Sequence, residues 1–300
     1  MGSAATFFSK QKSSKNTLND FNSNLVNLFI QVRDNYDALA EKCYWTLYSR
    51  EEYEKFYKLY QNDFVGIDDV TRAMMYLYLV RASFNNMTGL GFSASIESNS
   101  ANFNMALLQR MKLAREKLDS VVIENRSYEE IIEKYDKDGT FFYLDPPYYV
   151  TLKETHYYEK IFTEWQHNDL AYRLTKCKSP WILSYDDLPE VVQLYKDFFI
   201  QRTEVKYSIN NSDRKVRKIS ELLISNFRAK RPQLDIFDEN PETDITFEEI
   251  TDEERDSAEL KIKLKQELEY EEQQKLLLEE RNGNPRRNKQ APAKQVGLFD

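Results

Sequence analysis

Residues 139 to 150 read GTFFYLDPPYYV: a short apolar and aromatic run stopped by an acid, two prolines and two tyrosines. The run from Thr140 to Leu144 suits a buried strand. Proline cannot donate to a strand ladder, so the strand ends at Asp145. The pyrrolidine rings fix φ at Pro146 and Pro147. They thereby hold two acceptors, the Asp145 carboxylate and the Pro146 carbonyl, beside the flat face of Tyr148. That set fits a planar heterocycle carrying an exocyclic amine: both N–H groups are accepted and the ring stacks on the tyrosine. Asp-Pro-Pro is also a common turn. The preceding strand and the second aromatic, Tyr149, weigh against a turn alone.

Similar strand-like segments surround this one. KNTLND (15 to 20) reads as a strand ending in Asp20, and SVVIEN (120 to 125), PWILSY (180 to 185) and SELLISNF (220 to 227) follow. Helical patterns over about 127 to 135, 165 to 176 and 188 to 198 separate most of them. After Asp20, the apolar positions Leu25, Leu28, Phe29 and Val32 recur at helical spacing, with Asn22 or Ser23 as the cap. Alternating strands and helices predict an α/β fold, a parallel or mixed sheet with helices on both faces. Ligands in such sheets bind outside the carboxyl ends of strands, where Asp20, Asn125, Asp145 and Tyr185 fall.

Composition excludes several classes. Of 300 residues, 41% are hydrophobic and 14% aromatic, enough for a sizeable core. The two cysteines and two histidines fit no common zinc spacing, so no metal site is expected. A leader and a membrane-spanning run are missing from the sequence, which points to the reducing cytoplasm. The net charge of −8 is unevenly spread: residues 1 to 228 hold 30 basic against 31 acidic side chains, and residues 229 to 300 hold 12 against 19. A near-neutral body can still present a basic face to phosphates.

With DPPY at a strand end, the chain resembles the Dam-like DNA adenine methyltransferases. LNDFNSNLVNLF resembles their Asp-Ile-Asn segment, VRASFNNMTG their Asn-Arg-x-x-Phe-Asn-Gly element, and WILSYDD and SELLISNF their later strands. The resemblance implies a Rossmann-like methyltransferase sheet and transfer of a methyl group from S-adenosylmethionine to the exocyclic amine of a flipped adenine in double-stranded DNA. It implies catalytic roles for Asp145, Pro146, Pro147 and Tyr148. It implies cofactor contacts at Asp20, at Asp145 and at Ser127 and Tyr128, where the family has an acidic-aromatic pair; a cap for the next helix is the other reading of Asp20. The opening MGSAATFF looks like the second half of the family's Phe-x-Gly-x-Gly turn, with Gly2 at the first glycine, then Ser3, and Ala4 in place of the second. The missing first half leads us to expect that Met1 is internal to a longer protein; the alternative is a naturally shortened relative.

The same resemblance divides the chain into a catalytic domain (1 to 44 and 119 to 228), a mainly helical target-recognition insertion (45 to 118) and an acidic tail (229 to 300), helical and then disordered. Arg81, Phe84 and Asn85 match the recognition element. In the basic run RKVRK, Lys215 and Arg217 are candidates for phosphate contact, or else a solvated hairpin tip. Two tail peptides, Gln233 to Phe237 and Gln295 to Phe299 with Leu298 as an apolar anchor, resemble the docking peptide for the bacterial sliding clamp. Two rivals remain open: methylation of a cytosine amine or of RNA, and a catalytically impaired DNA-binding or clamp-associated subunit.

Overall fold

The computed structural model describes residues 1–83, 91–93, 103–149, 162–207, 217–228 and 246–282. The chain forms two compact units, Met1–Asp138 and Gly139–Asp300.

The first unit contains α1 (Ala5–Ser9), β1 (Thr17–Asn19), α2 (Ser23–Asp34), α3 (Tyr36–Trp45), α4 (Arg50–Gln61), α5 (Asp69–Ala82), α6 (Met105–Leu118), β2 (Val122–Glu124) and α7 (Tyr128–Tyr135). The stretch 50 to 82, helical throughout by pattern, is broken into α4 and α5 by a turn in which Asp63, Phe64 and Gly66 have positive φ. From Ala73 to Leu79 every residue of α5 is buried, so this helix forms the centre of the unit rather than one of its faces. Tyr78 and Leu79 of this helix are fully buried, as are Leu39 and Leu118 around it. Asn22 caps α2 by accepting from the amides of Asn24 and Leu25. A polar ladder runs along α2: Asn35 donates to Gln31, Gln31 to Asn27, and Asn27 to the Asp69 carbonyl at the start of α5. Each buried amide is thus satisfied where α2 meets α5. β1 and β2 pair in parallel, with Asn19 opposite Glu124.

The second unit contains β3 (Phe142–Leu144), α8 (Glu164–Lys176), β4 (Trp181–Asp186), α9 (Pro189–Leu194), β5 (Phe199–Tyr207), β6 (Arg217–Ser225), β7 (Thr246–Glu249) and α10 (Asp252–Asn282). Its sheet has the order β3-β4-β6-β5-β7. β3 and β4 are parallel and the remaining pairs antiparallel, so the sheet is mixed. Trp181, Leu183 and Tyr185 alternate along β4 onto one face, where all three are fully buried. Leu222 and Ile224 of β6 lie opposite Tyr185 and Leu183, and Leu170 and Leu174 of α8 are almost wholly buried too.

Two strands, β5 and β7, were not foreseen. The helix expected to reach 198 stops at Leu194 because β5 begins at Phe199. β7 adds an edge to β5, Ile250 behind it is buried, and Arg202 of β5 bonds Glu254 of α10 at 2.5 Å. Residues Thr246–Glu249 of the acidic C-terminal segment are therefore part of the sheet. Among the described residues, no helix is long and apolar enough to cross a membrane.

Candidate active site

Asp145 follows β3 directly, at the carboxyl end of a strand whose neighbour β4 runs the same way. Asp145 is exposed and Pro146 half-buried. Tyr148 keeps 41% of its surface exposed. Its hydroxyl donates to Glu221 Oε1 at 3.3 Å, and the Tyr149 amide donates to Asp186 Oδ1 at 3.2 Å. The Tyr149 ring lies 4.6 Å from the ring of His167, centroid to centroid, and Phe162 meets His167 edge-on at 4.8 Å. His167 is buried and bonds the Tyr185 hydroxyl through Nδ1. Tyr185 therefore belongs to the core, and the polar residue at the end of β4 is the half-buried Asp186. That corrects the expectation for the fourth strand end.

The electrostatics of this corner are negative. Burial lifts the Tyr148 phenol well above its ordinary range, and the Glu221 and Asp145 carboxylates push it further. Burial also raises the Asp186 carboxyl to about 6. Burial holds His167 down, at about 4, so the imidazole is neutral at pH 7. A concentration of acceptors and negative charge beside a partly exposed tyrosine disfavours anions and favours a group whose positive charge grows during reaction.

Apart from Asp145, the candidate cofactor residues lie in the first unit. Asp20 follows β1; its Oδ1 accepts from the Asn22 amide at 2.9 Å, and its Oδ2 from the Gly2 amide at 3.1 Å and the Met1 amine at 2.9 Å. Capping of α2 itself falls to Asn22. Asn125 donates to the carbonyls of Asp20 and Phe21, while Asn19 exchanges hydrogen bonds with the backbone of Arg126, so the carboxyl ends of β1 and β2 are laced together. Gly2 has φ +50° with open space where a side chain would stand. Ala4 also adopts the left-handed region, φ 53° and ψ 30°, and is buried. Ser3 lies between them and is exposed. Ser127 caps α7 in a reciprocal box with Glu130, and Tyr128 begins that helix.

Of the candidate DNA contacts, Arg81 lies in the last turn of α5, half-buried, and burial followed by the nearby charge of Arg110 lowers its pKa. Beyond α5, Ser83 bridges to Phe92, Tyr48 donates to the Ser93 carbonyl, and the Arg50 guanidinium covers the Phe92 ring at 5.3 Å. Arg217 opens β6 opposite Tyr207. Phe84, Asn85, Lys215, Gln233, Phe237, Gln295, Leu298 and Phe299 lie outside the described residues.

Residues 1–209 match the family model of the D12 class N6 adenine-specific DNA methyltransferases. The chain belongs to that family. This methyltransferase is similar to the Type II methyltransferase M1.LlaDCHI of Lactococcus lactis subsp. cremoris, with 28% identity over 253 residues, 76% of this chain and 84% of the relative. It is also similar to the DNA adenine methylase of Haemophilus influenzae, with 25% identity over 222 residues, 69% of this chain and 76% of that relative. Adenine in DNA is therefore the substrate class, which sets aside cytosine and RNA, and S-adenosylmethionine as methyl donor follows from the family. In the methyltransferase, the acids beside the DPPY segment that the sequence did not single out are Asp186 and Glu221. Each looks like an ordinary surface acid until the β4–β6 register places one opposite the other.

Proposed function

We propose that the DPPY segment of this adenine methyltransferase holds the amino group of a target adenine flipped out of duplex DNA. Asp145 accepts one N6 hydrogen, the Pro146 carbonyl accepts the other, and Tyr148 carries the ring. The observation that supports this reading best is the cluster of carboxylates around Tyr148. As N6 acquires a fourth bond its positive charge is stabilised by Asp145, and the surplus proton leaves only afterwards, when the methylated nitrogen has become acidic. No general base need act first.

The donor set around Asp20 fits S-adenosylmethionine: a carboxylate suited to hydroxyl or ammonium groups, an open left-handed glycine that permits close approach of backbone, and the ring of Tyr128. Gly2, Ser3, Ala4, Asp20, Ser127 and Tyr128 would hold it. When bound, it supplies an electrophilic methyl group on a positively charged sulfur. The fold in this reading is a Rossmann-like methyltransferase sheet with helices on both faces, and residues 45 to 118 form its target-recognition insertion. Arg81, Phe84 and Asn85 contact the DNA there, and Lys215 and Arg217 neutralise phosphates.

The test is methyl transfer from labelled S-adenosylmethionine to DNA, with the product base identified by mass spectrometry. Asp145→Ala should lose at least about a hundredfold in rate while still binding the cofactor. Asp20→Ala should lose cofactor affinity instead. Full activity in Asp145→Ala would remove the assignment, and undetectable cofactor binding by the parent chain would favour the DNA-binding subunit.

A further inference from the structure

The Tyr148 ring is tethered at both ends of its dipeptide. Its hydroxyl donates to Glu221 and the following amide donates to Asp186. These two acceptors are register partners on the antiparallel strands β4 and β6. One rung of the sheet therefore fixes both the backbone and the side chain of the motif's last residue. The rung is itself well supported. Directly beside it, Asp187 accepts from Ser220 at 2.8 Å and from Arg202 at 2.6 Å, and on the opposite face Tyr185 and Leu222 are fully buried.

Two carboxylates directly opposite one another on an antiparallel pair destabilise a sheet. A strand pair selected for stability alone would not keep Asp186 facing Glu221, and violations of this kind are expected where a site needs them. We propose that Glu221 is a positioning residue for methyl transfer: through the Tyr148 hydroxyl it holds the ring as a fixed platform for the target base, while Asp186 fixes the backbone that carries the ring. This rests on the assignment of Tyr148 to the base pocket. A tyrosine turns about two side-chain torsions, and on an exposed segment both would have to be frozen when the base arrives. Tethering the hydroxyl moves that loss of entropy into folding, so it no longer opposes binding of the flipped base.

The test is a double-mutant cycle in the full chain, with kcat and KM for DNA measured separately. Glu221→Ala and Tyr148→Phe should each lower kcat/KM for DNA about tenfold, the low end for a hydrogen bond to a charged group. The double variant should be no worse than either single one, because both remove the same bond. Glu221→Gln keeps an acceptor oxygen and should recover to within about threefold of the parent. Cofactor affinity should not change in any of them. With 2-aminopurine at the target position, emission quenched by stacking on the tyrosine should brighten equally in Glu221→Ala and Tyr148→Phe. Multiplied losses in the double variant would overturn the proposal, as would a Glu221→Ala enzyme with the parent's kinetics. Asp145→Ala separates the two levels of failure. If it stays active, the base pocket is misplaced and the proposal falls with it; if it is dead while Glu221→Ala is unaffected, only the positioning role is wrong.

Discussion

Replacing Asp186 by asparagine should make the protein more stable and less active. Burial raises the Asp186 carboxyl from 3.8 to about 6. The folded state therefore holds this proton more tightly than the unfolded chain does. Stability from this group is greatest below the unfolded value, declines as pH rises through the window from 3.8 to about 6, and is lowest above it. At about 1.4 kcal/mol per unit, the shift corresponds to roughly 3 kcal/mol of destabilisation at pH 8, and partial exposure reduces this to about 1 to 3 kcal/mol. Asparagine keeps an oxygen for the Tyr149 amide and carries no charge. Asp186→Asn should thus exceed the parent by about 1 to 3 kcal/mol at pH 8, and the gap should fall to about half at pH 5. Urea unfolding followed by tryptophan fluorescence is a suitable assay, since Trp181 at the other end of β4 is fully buried. If the base pocket is where we propose, methyl transfer should slow several-fold, because the Tyr149 backbone is held less firmly by the neutral acceptor. A variant less stable than the parent at pH 8, or a gap that does not change with pH, would refute the account of why this carboxyl is raised.

Two further outcomes follow from the same structure. The His167 imidazole, held down at about 4 by burial, stays neutral in the folded state while the unfolded chain takes up a proton at its ordinary 6.5. Its stability contribution is complete above 6.5 and is lost as pH falls toward 4, roughly 3 kcal/mol in all, so urea midpoints between pH 7 and 5 should fall more steeply in the parent than in His167→Gln. Ala4 occupies the left-handed region with φ 53°; Ala4→Gly relieves about 1 to 2 kcal/mol of backbone strain against about 0.5 to 1 kcal/mol of added chain entropy. The melting temperature should therefore rise slightly, and a fall would show that the Ala4 methyl packs better than its backbone suffers.

Strand ends that carry a polar residue behind an apolar run were legible in the sequence, and so were their neighbours. Asp20, Asn125 and Asp145 each follow the strand expected of them, and Asn22 caps α2 as its side chain suggests. β5 was not legible because its polar residues are in use. Arg202, which breaks any apolar run there, reaches Asp187 on one side and Glu254 on the other. β7 is four residues long with two acids, and only pairing with β5 makes it a strand. In both cases a partner distant in sequence supplies what local composition does not.

The register of β4 against β6 depends on the core in the same way. Side chains alternate along a strand, so a slip of one residue between β4 and β6 would send Glu221 opposite Tyr185 and take it away from Asp186. What forbids the slip lies on the other face, where Tyr185 with Leu222, and Leu183 with Ile224, are all fully buried. Shifting them by one position would expose large apolar surface, at about 1.5 to 3 kcal/mol for each side chain brought into water. Against that, the repulsion of two carboxylates at the strand end is small, and the core can hold them in register. The polar rung under Tyr148 is thus specified by apolar residues on the other face of the sheet. Sequence reading placed Leu222 and Ile224 in a strand without showing which acid that strand would bring to the site.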